Sequence, residues 1–263
     1  MSQAEMIQTN TAAEFAAKPV VIIGGHLGTG PAVVKAFAAQ QARIVIGVVA
    51  GQPLSEASRA ACALPGVIEL DIDPVDPASV SHFFDACEQH LGGLQVVVNI
   101  APPVKTQAAL DIPPPEYRRV LEQELLGPMQ CCLEAGRRLT AIAEATHSRA
   151  GRIISFCSMS GKTGVHKHVA PYAAAKGGMV TFSRVLAAEL ASTGTTVNMI
   201  ATALFDVQVA GGAERMAEVV KGIPVGRVGR SEEAAHAVLY LASDKGGYVT
   251  GETLNLSGGR FMD

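Results

Sequence analysis

No stretch of the 263 residues gathers Lys and Arg into a dense block, and 21 basic residues stand against 24 acidic ones for a formal net charge of −3. Binding of nucleic acid by neutralising phosphates is therefore not expected. Long apolar runs are also missing. Stretches such as Val20–Ile23 fall far short of a bilayer span, so no membrane partner is expected. The opening segment MSQAEMIQTNTAAEFAAK has neither the basic start nor the apolar core of a secretory signal. Five cysteines (62, 87, 131, 132 and 157) make an odd number without metal-ligand spacing, which argues against a disulfide framework. Low-complexity linkers and internal repeats are absent too. These absences describe a cytoplasmic protein of a reducing compartment, with no metal.

Apolar residues make up 48% of the chain against 17% charged, which at this length suffices for a sizeable core and rules out a disordered polar chain. Short apolar runs at Val20–Ile23, Arg43–Val49, Gly66–Leu70, Gln95–Asn99, Arg152–Cys157, Thr196–Ile200 and Thr253–Asn255 read as strands. They are apolar nearly throughout, as strands covered on both faces should be. Helical patterns lie between them, with Val33, Val34 and Phe37 on one stripe and Met179, Phe182, Leu186 and Leu190 on another. Strands alternating with helices predict one doubly wound (Rossmann) α/β domain, a seven-stranded parallel sheet with helices on both faces. The domain is expected over residues 18–263, with 1–17 as a flexible extension. Ligands of such sheets bind outside the carboxyl ends of the strands, so motifs there carry most of the functional weight.

The first strand runs straight into Gly24-Gly25-His26-Leu27-Gly28-Thr29-Gly30, and a helix follows. Glycines at 24, 28 and 30 admit positive φ and let backbone approach a diphosphate at the helix N-terminus. Any tight strand-to-helix connection favours glycine, so this turn alone does not decide the matter. Leu70-Asp71-Ile72 ends the third strand, and Val98-Asn99-Ile100-Ala101-Pro102 ends the fourth. Strand two closes on Gly47-Val48-Val49-Ala50-Gly51, with neither the acid that grips a ribose 2′-hydroxyl nor a base for a 2′-phosphate.

Tyr172 and Lys176 are four residues apart, on one face of a helix otherwise lined by Ala and apolar residues. Ser158 follows the fifth strand, whose carboxyl end can share a crevice with that helix. A phenol of pKa about 10 is a poor base at neutral pH. An ammonium about 4 Å away at an effective dielectric of about 20 is worth roughly 4 kcal/mol, close to three pKa units. That predicts a tyrosine able to exchange a proton with an alcohol or carbonyl oxygen, held in place by Ser158.

The glycine spacing, Asn99, Ser158, the Tyr172/Lys176 pair and the later Pro224-Val225-Gly226-Arg227, Ser231-Glu232-Glu233, Leu241-Ala242-Ser243-Asp244 and Val249-Thr250-Gly251 together resemble the short-chain dehydrogenase/reductase family over roughly residues 18–260. The resemblance implies an NAD(P)-dependent oxidoreductase that interconverts an alcohol and a ketone or aldehyde by hydride transfer. Ser158, Tyr172 and Lys176 would be catalytic. Gly24, Leu27, Gly28, Gly30, Asp71, Ile72, Asn99, Ala101, Tyr172 and Lys176 would bind the cofactor, with Asp71 and Ile72 at adenine and Lys176 at the nicotinamide ribose. Leu27 stands where many NADP-using relatives carry a base, so NAD is preferred over NADP. A homotetramer is implied, with Val120, Leu121, Leu125 and Val185 as candidate contacts, and a substrate lid over about 203–222. Its Leu204, Phe205, Val207, Val209 and Met216 suggest a modest, partly apolar substrate, and Gly211-Gly212 a hinge.

Several positions depart from the family pattern. Ile23 replaces a Thr in the glycine turn, and Pro102 a Gly after the fourth strand. Glu124 occupies the place of an Asn on the proton path from Lys, where it would either join a relay or pair with Lys176. Thr202-Ala203 replaces Pro-Gly beside nicotinamide, and Val207 a Thr at the carboxamide. Ser158 and Tyr172 lie 14 apart, one more than is commonest, so a bulged loop is expected. These changes keep open a redox-inactive nucleotide sensor or scaffold, or lyase or epimerase chemistry on the same tyrosine. His166-Lys167-His168 lacks further ligands for a metal and reads better as a substrate-facing wall. His26 would touch phosphate or face solvent. Cys131, Cys132 and Cys157 read as packing residues.

Overall fold

The computed structural model describes residues 13–52, 54–102, 106–147, 151–164, 166–208 and 212–262. Its strands are β1 (Pro19–Ile23), β2 (Arg43–Val49), β3 (Val67–Ile72), β4 (Val96–Asn99), β5 (Arg152–Ser158), β6 (Thr196–Thr202) and β7 (Thr253–Leu256). All pair in parallel, in the order β3-β2-β1-β4-β5-β6-β7. The order reverses between β1 and β4, which opens the crevice at which doubly wound sheets take their ligands.

Alternate strand residues feed opposite faces. Val21 and Ile23 join Phe83 and Phe84 of α3 (Pro77–Leu91), Cys131 and Cys132 of α5 (Gly127–Thr146) and Met179 of α7 (Ala170–Leu190) on one side. Val20 and Ile22 join Val33, Val34 and Phe37 of α1 (Gly30–Ala39), Ala61 of α2 (Glu56–Cys62) and Val238 of α9 (Ser231–Ala242) on the other. Both faces being dry is why the strands carry no polar alternation. The remaining helices are α4 (Pro114–Leu121), α6 (Met159–Thr163) and α8 (Gly212–Val220).

The expected strands are all present, but their carboxyl ends reach further. β3 runs on through Asp71 and Ile72, β5 takes in Ser158, and β6 continues to Thr202. Register pairs Asp71 with Val48 and Ser158 with Thr202. Polar residues at strand ends are poor strand signals in sequence, and the neighbouring strand supplies the partner that extends them. The expected flexible extension is docked at its end. Phe15 is buried and meets Phe37 edge-to-face at 5.0 Å, while the Glu14 carboxylate accepts from the Asp244 N–H at 3.1 Å. Residues 1–12 lie outside the described residues.

Candidate active site

The turn after β1 needs its glycines for two separate reasons. Gly24 has φ +71°, and a Cβ there would stand 1.9 Å from the Ile100 carbonyl oxygen. Gly30 has no room either, since its Cβ would meet the Gly25 carbonyl at 2.5 Å. Gly28 (φ +49°) differs, because a Cβ would point into open space and the bare backbone faces the crevice. Thr29 places no side-chain cap on α1, which leaves the helix N-terminus to an anion. His26 is 3% exposed, and neither ring nitrogen has a hydrogen-bond partner among the described residues. Burial lowers its pKa, with Glu69 pulling weakly the other way. Leu27 packs inward under Gly24 as part of the core. A cavity of about 900 Å³ flanks the turn, bordered by His26, Gly28, Lys35, Glu56, Asp206 and Glu232. The bare glycine, the uncapped helix and the unpartnered imidazole fit a dinucleotide's diphosphate.

Further along the crevice, Asp71 is exposed and Ile72 buried at the end of β3. The Asn99 amide turns inward, donating to Ser155 Oγ and Cys132 Sγ, both at 3.3 Å, so it ties β4 to β5 and α5. Its Oδ1 has no partner among the described residues. Ala101 is half-buried just beyond. Residues 103–105 lie outside the described residues.

Ser158, Tyr172 and Lys176 come together over β5. Ser158 caps α6, accepting from the Ser160 N–H at 3.1 Å, and its hydroxyl is hydrogen-bonded to the Tyr172 phenol. Lys176 is 3% exposed and donates to the Phe156 carbonyl at 3.2 Å, with Nζ 5.6 Å from the Tyr172 ring centroid. α6 lies so close to α7 that a Cβ on Gly161 would stand 2.6 Å from Lys176 Cβ. Lys162 of α6 donates to Asn255 Oδ1 of β7 at 2.9 Å, and Ser160 Oγ is 2.9 Å from His166 Nδ1. Sequence reasoning did not single out Gly161, Lys162 or Asn255 as supports of the triad. The long Ser158–Tyr172 spacing was their only signal, and His168 at φ +67° absorbs it.

Between α4 and α5 the helix widens into a π turn, Glu122–Leu126. Its cause is Pro128, which has no N–H to offer the Glu124 carbonyl and would crowd it. Gly127 N–H reaches back to the Glu122 carbonyl instead. The widened turn swings Glu124 inward, where it is 1% exposed and its Oε2 lies 2.9 Å from Lys176 Nζ. Burial opposes the Lys176 charge, but Glu124 more than restores it and the ammonium titrates above its ordinary range. Tyr172 also moves up. Burial is the largest cause, Lys176 draws it down, and Glu124 pushes it up again. The expectation of a tyrosine brought towards neutrality by an unopposed lysine is therefore corrected.

The profile of the family described as Enoyl-(Acyl carrier protein) reductase matches residues 25–260. The chain belongs to the short-chain dehydrogenase/reductase family. It is an NAD(P)-dependent oxidoreductase. It is 31% identical to the 3-oxoacyl-[acyl-carrier-protein] reductase FabG of Escherichia coli, over 94% of this chain and 99% of that one. The corresponding reductase MabA of Mycobacterium avium is 28% identical, over 94% and 91%. The cis-4-hydroxycyclohexanecarboxylate dehydrogenase of Sinomonas cyclohexanicum is 31% identical, over 93% and 97%.

Against this family, the departures have visible consequences. Without Pro-Gly, β6 stays in register through Thr202, whose hydroxyl donates to the Cys157 carbonyl at 3.4 Å. Ala203 N–H then bonds the Leu256 carbonyl at 3.0 Å. The base of the lid is pinned by Asp206, which accepts from the Ser231 hydroxyl at 2.6 Å, while Val207 is 53% exposed. Val209 and Gly211 of the expected lid and hinge lie outside the described residues. Of the four candidate subunit contacts, Val185 is exposed, Leu121 half-buried and Val120 buried, and Leu125 packs onto Gly178 of α7. No described helix is long and apolar enough to cross a membrane.

Proposed function

We propose that the enzyme interconverts a carbonyl and an alcohol, with Tyr172 exchanging the proton, Ser158 orienting the substrate oxygen and Lys176 serving the ribose of the nicotinamide. The observation that carries this reading is the buried Ser158–Tyr172–Lys176 cluster over the carboxyl end of β5. When bound, the nicotinamide cofactor supplies or removes the hydride at the substrate carbon. Replacing Tyr172 by Phe removes the transferable proton but little volume. Turnover should fall by about 10²–10⁴ or more while cofactor binding persists. Unchanged turnover would sink the assignment. The first substrates to try are 3-oxoacyl thioesters and hydroxycyclohexanecarboxylates, the classes in the relatives' names. The exposed Val207 and half-buried Met216 support a partly apolar substrate.

We favour NAD over NADP, binding through Gly24, Gly28, Gly30, Asp71, Ile72, Asn99 and Ala101. Leu27 offers no charge, and Lys35 beside the turn faces the acidic Glu56, Asp206 and Glu232, a balance unfavourable to an extra phosphate. Ligand at about 100 times its Kd should stabilise the fold by about 2.7 kcal/mol. NADH should therefore raise the thermal midpoint at concentrations where NADPH does not, and the reverse order would overturn the preference. Five buried, unpaired thiols support a cytoplasmic location. Exposed Val185 and Leu126 near α7 and α5 support a homo-oligomer, which sedimentation would test.

A further inference from the structure

Glu124 lies in contact with Lys176 but further from the phenol that the lysine is meant to charge. Nζ is 2.9 Å from Glu124 Oε2 and 5.6 Å from the centre of the Tyr172 ring. A cation in contact with an anion presents mostly a dipole to a third group, and its field there is largely cancelled. The charged and titratable surroundings can be named on every side. Tyr172 faces Lys176 on its own helix, Glu124 from the π turn and Cys157 with Ser158 from β5, while Glu116 and His168 share the cleft at its rim. Glu124 faces Lys176, Tyr172 and, from α4, Arg119.

We propose that Glu124 is a positioning residue that neutralises Lys176 and so keeps Tyr172 protonated, setting the site to donate a proton and reduce a carbonyl. Alcohol oxidation is then confined to alkaline pH. This rests on the reading of Tyr172 as the proton-transferring group. In the step itself the phenolic O–H breaks as the substrate O–H forms. The carbon receives its hydride from the reduced nicotinamide, and the phenolate recovers a proton from solvent. The overall equilibrium is untouched. What Glu124 sets is the pH range over which each direction runs.

The test begins without substrate or cofactor. Tyrosinate absorbance is titrated in the wild type and in Tyr172→Phe, and their difference isolates one phenol of the four. Its midpoint should lie above the ordinary value of about 10, and Glu124→Gln should lower it by at least about one unit. Glu124→Asp, which keeps the charge, should restore it. A wild-type midpoint below about 9, or one indifferent to Glu124→Gln, overturns the proposal. Should the Gln variant fail to fold, the wild-type midpoint still decides. In the enzymatic arm, the alkaline fall of carbonyl reduction should move down with the phenol, and alcohol oxidation near neutrality should rise about tenfold. Absence of any wild-type carbonyl turnover, despite the expected titration, would fell the redox reading and the directional claim with it. Loss of turnover in Tyr172→Phe with a midpoint blind to Glu124 would fell only the role given to Glu124.

Discussion

Lys176 and Glu124 are nearly inaccessible, and each is tolerable there because of the other. Removing one partner of a buried ion pair typically costs about 3–5 kcal/mol, because the charge left behind is unsolvated. Glu124→Ala should lower the urea midpoint by a corresponding amount, and the double change Glu124→Leu with Lys176→Met should recover most of it. A simple sum of losses would contradict the pairing. The cysteines illustrate the same physics without a partner. Burial pushes Cys62 to about 11 and Cys87 to about 12, so neither forms the thiolate that reacts at neutral pH. An alkylating reagent at pH 8 should leave all five thiols unmodified in the folded protein and label all five in denaturant. Prompt labelling of one in the native state would contradict its burial. Ser158, Tyr172 and Lys176 were legible in the sequence because a helix places i and i+4 on one face. The tyrosine's protonation was not, since it depends on how thoroughly three other groups are buried around it.

At the scale of elements, the site depends on two irregularities. The π turn at Glu122–Leu126 places Glu124, and the contact of α6 with α7 at Gly161 fixes the lysine's turn. Gly161→Ala puts a methyl 2.6 Å from Lys176 Cβ, on rigid helix backbone. It should lower kcat by tenfold or more (about 1.4 kcal/mol at the transition state) with only a modest loss in thermal midpoint. A variant losing stability and activity in step would mean general unfolding instead. The Gly127-Pro128 pair was the available sign of the π turn, yet a proline within an apolar helical pattern reads as a break just as well. Strand centres were legible from their apolar runs. Their carboxyl ends were not, because Asp71, Ser158 and Thr202 are held by neighbouring strands rather than by local preference.

For the molecule as a whole, the sheet separates two apolar layers while Tyr172 and Lys176 sit at its edge with pKa values above those of an unfolded chain. Groups whose folded pKa is raised stabilise fully below their unfolded pKa and lose that contribution as pH climbs through the folded value. Stability should therefore be insensitive to these groups up to about pH 10 and decline beyond it. Urea midpoints between pH 8 and 11 test this, and Tyr172→Phe should flatten part of the decline. The doubly wound architecture was legible because seven apolar runs alternate with amphipathic stretches, a pattern no other layer arrangement satisfies. The docking of Phe15 against Phe37 was not, because one aromatic in a polar lead-in carries no period. The bond from Lys162 to Asn255 couples the strand made last on the ribosome to the short helix that seats the catalytic tyrosine's loop. A chain ending a dozen codons early would carry every reacting group and still lack the brace that aims them, so catalytic competence arrives only when synthesis is all but finished.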